Sequence, residues 1–133
     1  MTESVWVDAN VLVRFLTKDP ATLFRRAQEL VRRAETGSVL LRVSTVVVAE
    51  VVWILGSYYR LEQRSIADLL RGFLRADGLT VQDGNVVFHA LELMAARNVD
   101  FVDAYLAAAA LRAEEAVASF DEDFERLGVR RIG

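Results

Sequence analysis

The sequence has no cysteine, one proline (Pro20), one lysine (Lys18) and one histidine (His89) in 133 residues. Without cysteine there is neither a disulfide framework nor a thiolate metal site, and a reducing interior is compatible with the composition. A lone histidine leaves zinc in a histidine-rich shell and Ser-His-Asp chemistry without partners, so any metal must be held by carboxylates. His89 itself, flanked one turn away by Asn85 and Leu93, reads as a structural residue at a helix boundary. Phosphate-cradling glycine loops are also missing: no GxxxxGK[ST] or GxGxxG stretch occurs. No apolar run reaches the roughly 20 residues of a membrane span, and Met1-Thr2-Glu3-Ser4 sets no basic segment ahead of an apolar one, so the expectation is a soluble cytoplasmic protein with no membrane partner. Scarce proline and glycine beside 53% hydrophobic residues describe one domain over residues 1–133, without linkers or internal repeats.

Apolar segments and helical segments alternate along the chain. Val5-Trp6-Val7 reads as a strand covered on both faces that ends on Asp8 and passes into a helix from Asn10 to Leu16. Asp19-Pro20 is a helix-start signal for residues 21–36, with Leu23, Ala27, Leu30, Val31 and Ala34 inward and Arg25, Arg26, Glu29, Arg32, Arg33 and Glu35 outward. Val39 to Val43 reads as a second strand. The valine-rich stretch 44–59 favours strand by propensity, but its length and the cap Ser44 favour helix. Helices over 62–75 and 83–98, a strand at 79–81, a helix after Asp100 to about Glu114, a strand over 116–120, a short helix around Phe124 and an edge strand over 129–132 complete the pattern. Strand–helix alternation of this kind predicts an α/β fold with a largely parallel sheet, where ligands bind beyond the carboxyl ends of the strands.

Four acids arrive where such a site would lie. Asp8 and Asp121 each end an apolar strand, where a carboxylate caps the following helix as readily as it serves a function. Glu50 falls among Val46, Val47, Trp53 and Ile54 at helical spacing, an acid on an apolar stripe that calls for a buried arginine partner, a metal or a catalytic role. Asp103 stands three residues after the cap Asp100, where complementing the helix dipole would explain it alone. One carboxylate cluster at the sheet's edge accounts for all four together, and clustered carboxylates resist ionisation unless a cation lies among them. Oxygen-only ligands select hard ions such as Mg²⁺ or Mn²⁺. The net charge of −3 argues against a generally basic nucleic-acid surface, yet 19 acidic residues less four metal ligands leave 15 against 16 basic ones.

These acids and their surroundings resemble the PIN-domain ribonucleases, specifically VapC-type toxins of toxin–antitoxin pairs. The resemblance rests on Val7-Asp8-Ala9-Asn10-Val11-Leu12-Val13-Arg14, Ala49-Glu50-Val51-Val52-Trp53-Ile54-Leu55, Asp100-Phe101-Val102-Asp103-Ala104 and Ser119-Phe120-Asp121-Glu122-Asp123-Phe124, in that order and spacing. It implies a three-layer α/β/α PIN-like domain with a central, mainly parallel sheet of four to five strands. It further implies a metal site of Asp8, Glu50, Asp103 and Asp121 with Asp123 as a further ligand, and Asn10, Asp100 and Ser119 in support. Ser119 stands where the family often has threonine, which keeps the hydroxyl. Arg14, one turn beyond Asn10, is a candidate contact to RNA phosphate. The implied activity is Mg²⁺- or Mn²⁺-dependent hydrolysis of RNA, and the implied partners are a VapB-like antitoxin and a second copy of the chain in a homodimer. An apolar surplus at Val51-Val52-Trp53 and Tyr58-Tyr59 is available for such an interface.

Two other readings use the same acids. A haloacid-dehalogenase-like phosphatase also starts with an acid after its first strand, but needs a second aspartate where this chain has Asn10 and a downstream lysine that is absent. A non-catalytic, protein-binding α/β module would use the acids as caps; a receiver-like version would want paired acids after the first strand and a lysine near the end.

Overall fold

A computed structural model describes residues 2–133. The five strands are β1 (Glu3–Trp6), β2 (Val39–Val43), β3 (Leu79–Val81), β4 (Val117–Ala118) and β5 (Arg131–Ile132). The helices are α1 (Ala9–Thr17), α2 (Ala21–Glu35), α3 (Thr45–Ser57), α4 (Gln63–Phe73), α5 (Gly84–Arg97), α6 (Phe101–Ala113) and α7 (Asp123–Arg126). The fold is a three-layer α/β/α arrangement with parallel pairing throughout. The sheet is small: β1-β2-β3 form one hydrogen-bonded unit and β4-β5 a separate pair.

β1 departs from the sequence expectation. It is hydrogen-bonded only to β2, and Trp6 is 60% exposed rather than covered on both faces. Its indole instead meets Arg42, the residue opposite it in the β1–β2 register, with the guanidinium carbon 5.9 Å from the ring centre. An edge strand leaves one side of its backbone open, so a large amphipathic ring beneath an arginine can shield it without burial.

α3 forms despite its β-branched run because its N-terminal end and one of its sides are fixed. Ser44 Oγ accepts the Val47 amide at 3.1 Å, and Gln82 after β3 accepts from the Thr45 amide and hydroxyl, each at 3.2 Å. Val48, Val51, Val52 and Leu55 are then buried in the main core with Leu12 and Val13 of α1. Burial of four apolar side chains, each contributing about 1.5–3 kcal/mol, outweighs the few tenths per residue that valine's stiffness costs a helix.

Two aspartates that the sequence offers as helix caps, Asp19 before α2 and Asp83 before α5, make no capping bond. Asp19 is not the cap of α2; Pro20 holds that position and Asp19 Oδ2 accepts from Tyr59 OH at 3.2 Å. Asp83 precedes α5 with positive φ and makes no capping bond, its carboxylate accepting instead from Tyr105 OH of α6 at 3.3 Å. These carboxylates join elements far apart in sequence, which local cap rules do not anticipate.

A smaller cluster of Ala34, Val39 and Leu41, flanked by Val5 and Leu79, holds α2 to the sheet. Gly78 is the tight point beside it, with φ +84° and a hypothetical Cβ only 2.3 Å from the Ala34 carbonyl oxygen, while its own carbonyl accepts the Leu41 amide at 2.8 Å. Gly37 has the same backbone strain, φ +86°, with open space around it. Gly37→Ala should therefore cost only the left-handed penalty, about 1–2 kcal/mol, and Gly78→Ala at least roughly 2 kcal/mol more, because α2 must move off the sheet. Urea melts of the two variants check this, and equal costs would refute the close approach.

Candidate active site

One shallow cleft, about 160 Å³, collects acids from separate parts of the chain. It is lined by Asn98, Val99, Asp100, Asp103, Asp123, Phe124, Arg126 and Leu127. Asp100 sits at the N-cap of α6 and Asp103 in that helix's first turn, so the first-turn backbone amides face the same region. The Ala-rich face behind them, Ala104, Ala107 and Ala108, is buried and lets α6 pack closely against α5. Asp123 opens α7, which Phe124 and Leu127 dock onto the core.

Asp121 lies just beyond β4 and belongs to the same electrostatic neighbourhood. Burial raises the Asp103 carboxyl pKa above its usual 3.8, and the charges of Asp100, Asp121 and Asp123 push it in the same direction. The turn that carries Asp121 is internally bonded: Ser119 Oγ accepts the Asp121 amide at 3.0 Å and Asp121 Oδ1 accepts the Asp123 amide at 2.9 Å. Ser119 thus supports the acidic turn through its hydroxyl.

Asp8 and Glu50 stand apart from this cleft. Asp8 is the N-cap of α1, its Oδ1 accepting from the Ala9 amide at 2.9 Å. Glu50 is exposed, which corrects the expectation of an acid on a buried stripe: Val46 and Trp53, one turn to either side, are themselves exposed. α3 packs against both α1 and α6, but neither Asp8 nor Glu50 lines the acidic cleft. The expectation that Asp8, Glu50, Asp103 and Asp121 already meet in one cage is not met: among the described residues no three acids or histidines converge closely enough to hold one ion. Local bonding explains part of this, since Asp8 and Asp121 are turned toward backbone amides, and mutual repulsion keeps like charges from closing together. The donors nevertheless suit a hard divalent ion chemically, being carboxylate oxygens, with Asp103 among them resisting ionisation.

Asn10 is exposed on the first turn of α1. Arg14 is half-buried and engaged within the protein, its Nη1 donating to Tyr59 OH at 3.2 Å and to the Asp19 carbonyl at 3.3 Å. Arg126 lines the cleft although the sequence reading passed over it; Nη1 donates to the Arg97 carbonyl at 2.9 Å and Nη2 stands 4.0 Å from Asp123. The i,i+3 spacing of Asp123 and Arg126 was the available signal, but it reads equally well as an ordinary surface pair.

No curated protein matches the chain. The PIN domain family, however, matches residues 5–130, a span that takes in the end of β1, all of β2, β3 and β4, the acids Asp8, Glu50, Asp100, Asp103, Asp121 and Asp123, and all seven helices among the described residues. PIN domains are generally metal-dependent nucleases that act on RNA or DNA, which is chemistry that a crowded carboxylate cleft can serve. On that match over nearly its whole length, the chain belongs to the PIN-domain family.

Proposed function

We propose that the protein is a Mg²⁺- or Mn²⁺-dependent endoribonuclease and the VapC-like toxin of a toxin–antitoxin pair, acting in the cytoplasm as a single-domain chain. The observation that carries the nuclease reading is the gathering of Asp100, Asp103, Asp121 and Asp123 about one cleft, where Asp103 carries the cost of its neighbours' charge. Such crowding destabilises a fold and has a use only where positive charge is to be held. When bound, a divalent ion there would supply Lewis-acid charge for the phosphate and lower the pKa of a nucleophilic water. The ligands in this reading are Asp8, Glu50, Asp103, Asp121 and Asp123, with Asn10, Asp100 and Ser119 holding them in place.

In the reaction the water oxygen attacks phosphorus and the bond to the 3′ oxygen breaks, giving a 3′-hydroxyl and a 5′-phosphate. The water's proton passes to one of the cleft carboxylates, and the leaving 3′ oxygen takes up a proton from solvent. Ser119 fixes the backbone of the turn that presents Asp121.

The homodimer and the antitoxin remain part of this proposal, supported by surface rather than by any observed contact. The surplus apolar residues are not Val51 and Val52, which are buried, but Val46, Trp53 and Tyr58, exposed at 76%, 69% and 75%. Val46 and Trp53 flank Glu50 on one face of α3, an apolar area that favours association. A haloacid-dehalogenase-like phosphatase is disfavoured by Asn10 and by the lack of a downstream lysine.

Purified protein incubated with total RNA, with DNA as the comparison, should cut RNA in Mn²⁺ and not in EDTA. Asp103→Asn and Asp121→Asn should each lower the rate roughly 10²-fold or more, the scale of a group acting in the transition state. Undiminished cleavage in either variant rules the assignment out. Stability should move the other way. A carboxyl whose pKa is raised on folding costs stability while it is charged, and the cost vanishes once the pH falls below its unfolded value near 3.8. In EDTA, Asp103→Asn should melt higher than the parent at pH 7 and no higher at pH 3; a lower Tm at pH 7 would show the residue to be structural. Trp53→Glu should shift the chain from dimer to monomer in light scattering while the far-UV spectrum stays unchanged, and a parent that is already monomeric would remove the dimer from the proposal.

A further inference from the structure

A groove of about 190 Å³ opens between α1 and α2, starting at Asn10, two residues beyond Asp8. Val11, Leu23, Ala27 and Leu30 form its apolar lining, and Arg14 and Arg26 its charged one. A more open trough continues it along α2, sharing Arg26 and Leu30 and adding Arg33. Arg26, Leu30 and Arg33 recur at spacings of four and three, so they lie on one helix face. The two guanidiniums are then roughly 10 Å apart along the axis, with an apolar patch between them.

Charge pairing leaves this strip basic. Glu29, which lines the trough together with Arg25, is occupied by Arg32, whose Nε donates to Oε2 at 2.9 Å; that hydrogen bond, with the charges of Arg32 and Arg33, holds the Glu29 carboxyl below its usual range. Among the described residues neither Arg26 nor Arg33 forms an ion pair, and the buried Nε of Arg14 has no hydrogen-bond acceptor. In a chain of net charge −3, α2 carries four arginines against two glutamates. Acids gather at the cleft of α6 and α7, while arginines without ion pairs gather along this groove, which begins two residues beyond Asp8.

We infer that the α1–α2 groove binds single-stranded RNA on one side of the scissile phosphate, with Arg26 and Arg33 neutralising backbone phosphates and Leu23 and Leu30 in contact with a base between them. This rests on the nuclease reading of the acidic cleft and gives that cleft its substrate track. Alternating cationic and apolar contacts match a strand that presents phosphates and bases in turn, whereas a duplex keeps its bases stacked inside. A purely acidic peptide such as polyglutamate would satisfy the arginines and leave the leucines without a partner.

The test is binding of a fluorescein-labelled oligouridine by anisotropy, in EDTA so that nothing is cut, across a series of salt concentrations. Each phosphate neutralised on a single strand contributes about 0.7 to the log–log salt slope. Arg26→Gln with Arg33→Gln should therefore reduce the slope by about 1.4 and weaken binding several-fold at low salt. Arg64→Gln with Arg112→Gln, exposed arginines on α4 and α6, should leave the slope unchanged, with circular dichroism verifying that both proteins are folded. An unchanged slope in the groove variant, no RNA binding by the parent, or competition by polyglutamate equal to that by unlabelled RNA would each overturn the inference. Mn²⁺-dependent cleavage by the parent with an unchanged slope would refute the groove alone; a reduced slope without cleavage would refute the nuclease reading and leave the groove standing.

Discussion

Electrostatic repulsion in the cleft of α6 and α7 is the constraint on which the rest of the molecule depends. Partial burial raises the Asp103 pKa most, and the charges of Asp100, Asp121 and Asp123 push it further in the same direction. A fold selected for stability alone would answer with a guanidinium at close range. Arg126 is the nearest, yet it stands 4.0 Å from Asp123 and gives Nη1 to a backbone carbonyl. The offsetting terms are weaker and distributed: the α6 N-terminus, with Asp103 in its first turn, and the amide bonds of the Ser119–Asp123 turn. The main core carries what remains, through side chains such as Leu55, Leu70, Leu91 and Met94 that are wholly enclosed.

The same core explains why α3 has two apolar sides. One side, Val48, Val51, Val52 and Leu55, is consumed by packing against α1 and its neighbours. The other presents Val46 and Trp53 around a charged Glu50, an arrangement in which the acid prevents the face from becoming a continuous apolar sheet. A helix that is hydrophobic all round in a small domain signals a surface with work beyond the fold.

Much of this was legible in the sequence, and the reasons for success and failure are physical. Periodicity located α2, α4 and α5, since burial there follows helical spacing, whereas length and caps located α3 and α6: Ile66 and Leu70 of α4, and Val87, Leu91 and Met94 of α5, are the residues that the pattern picks out. Asp100, Asp103, Asp121 and Asp123 were identifiable because strand ends and helix starts meet at one edge of a parallel fold. What the sequence could not carry was exposure. Trp6 looked like a covered strand residue and Glu50 like an acid on a buried stripe, because apolar neighbours along the chain do not say whether another layer covers them. Long-range polar bonds were equally hidden: nothing local tells that Tyr59 binds Asp19 and Arg14, or that Asp83 serves Tyr105 rather than its own helix.

The separation of β4-β5 from the other strands divides the site between two hydrogen-bonded ladders set in one core. The turn of Asp121 and Asp123 is carried by a pair of two-residue strands, with Val117–Arg130 and Ser119–Ile132 backbone bonds beside it and Arg131 reaching the Ser119 carbonyl. Val117, Phe124, Leu127 and Val129 seat that pair in the same core that holds α6. Short ladders open locally at a lower free energy than the whole chain unfolds, so apolar packing rather than strand pairing fixes where these two acids stand relative to Asp103.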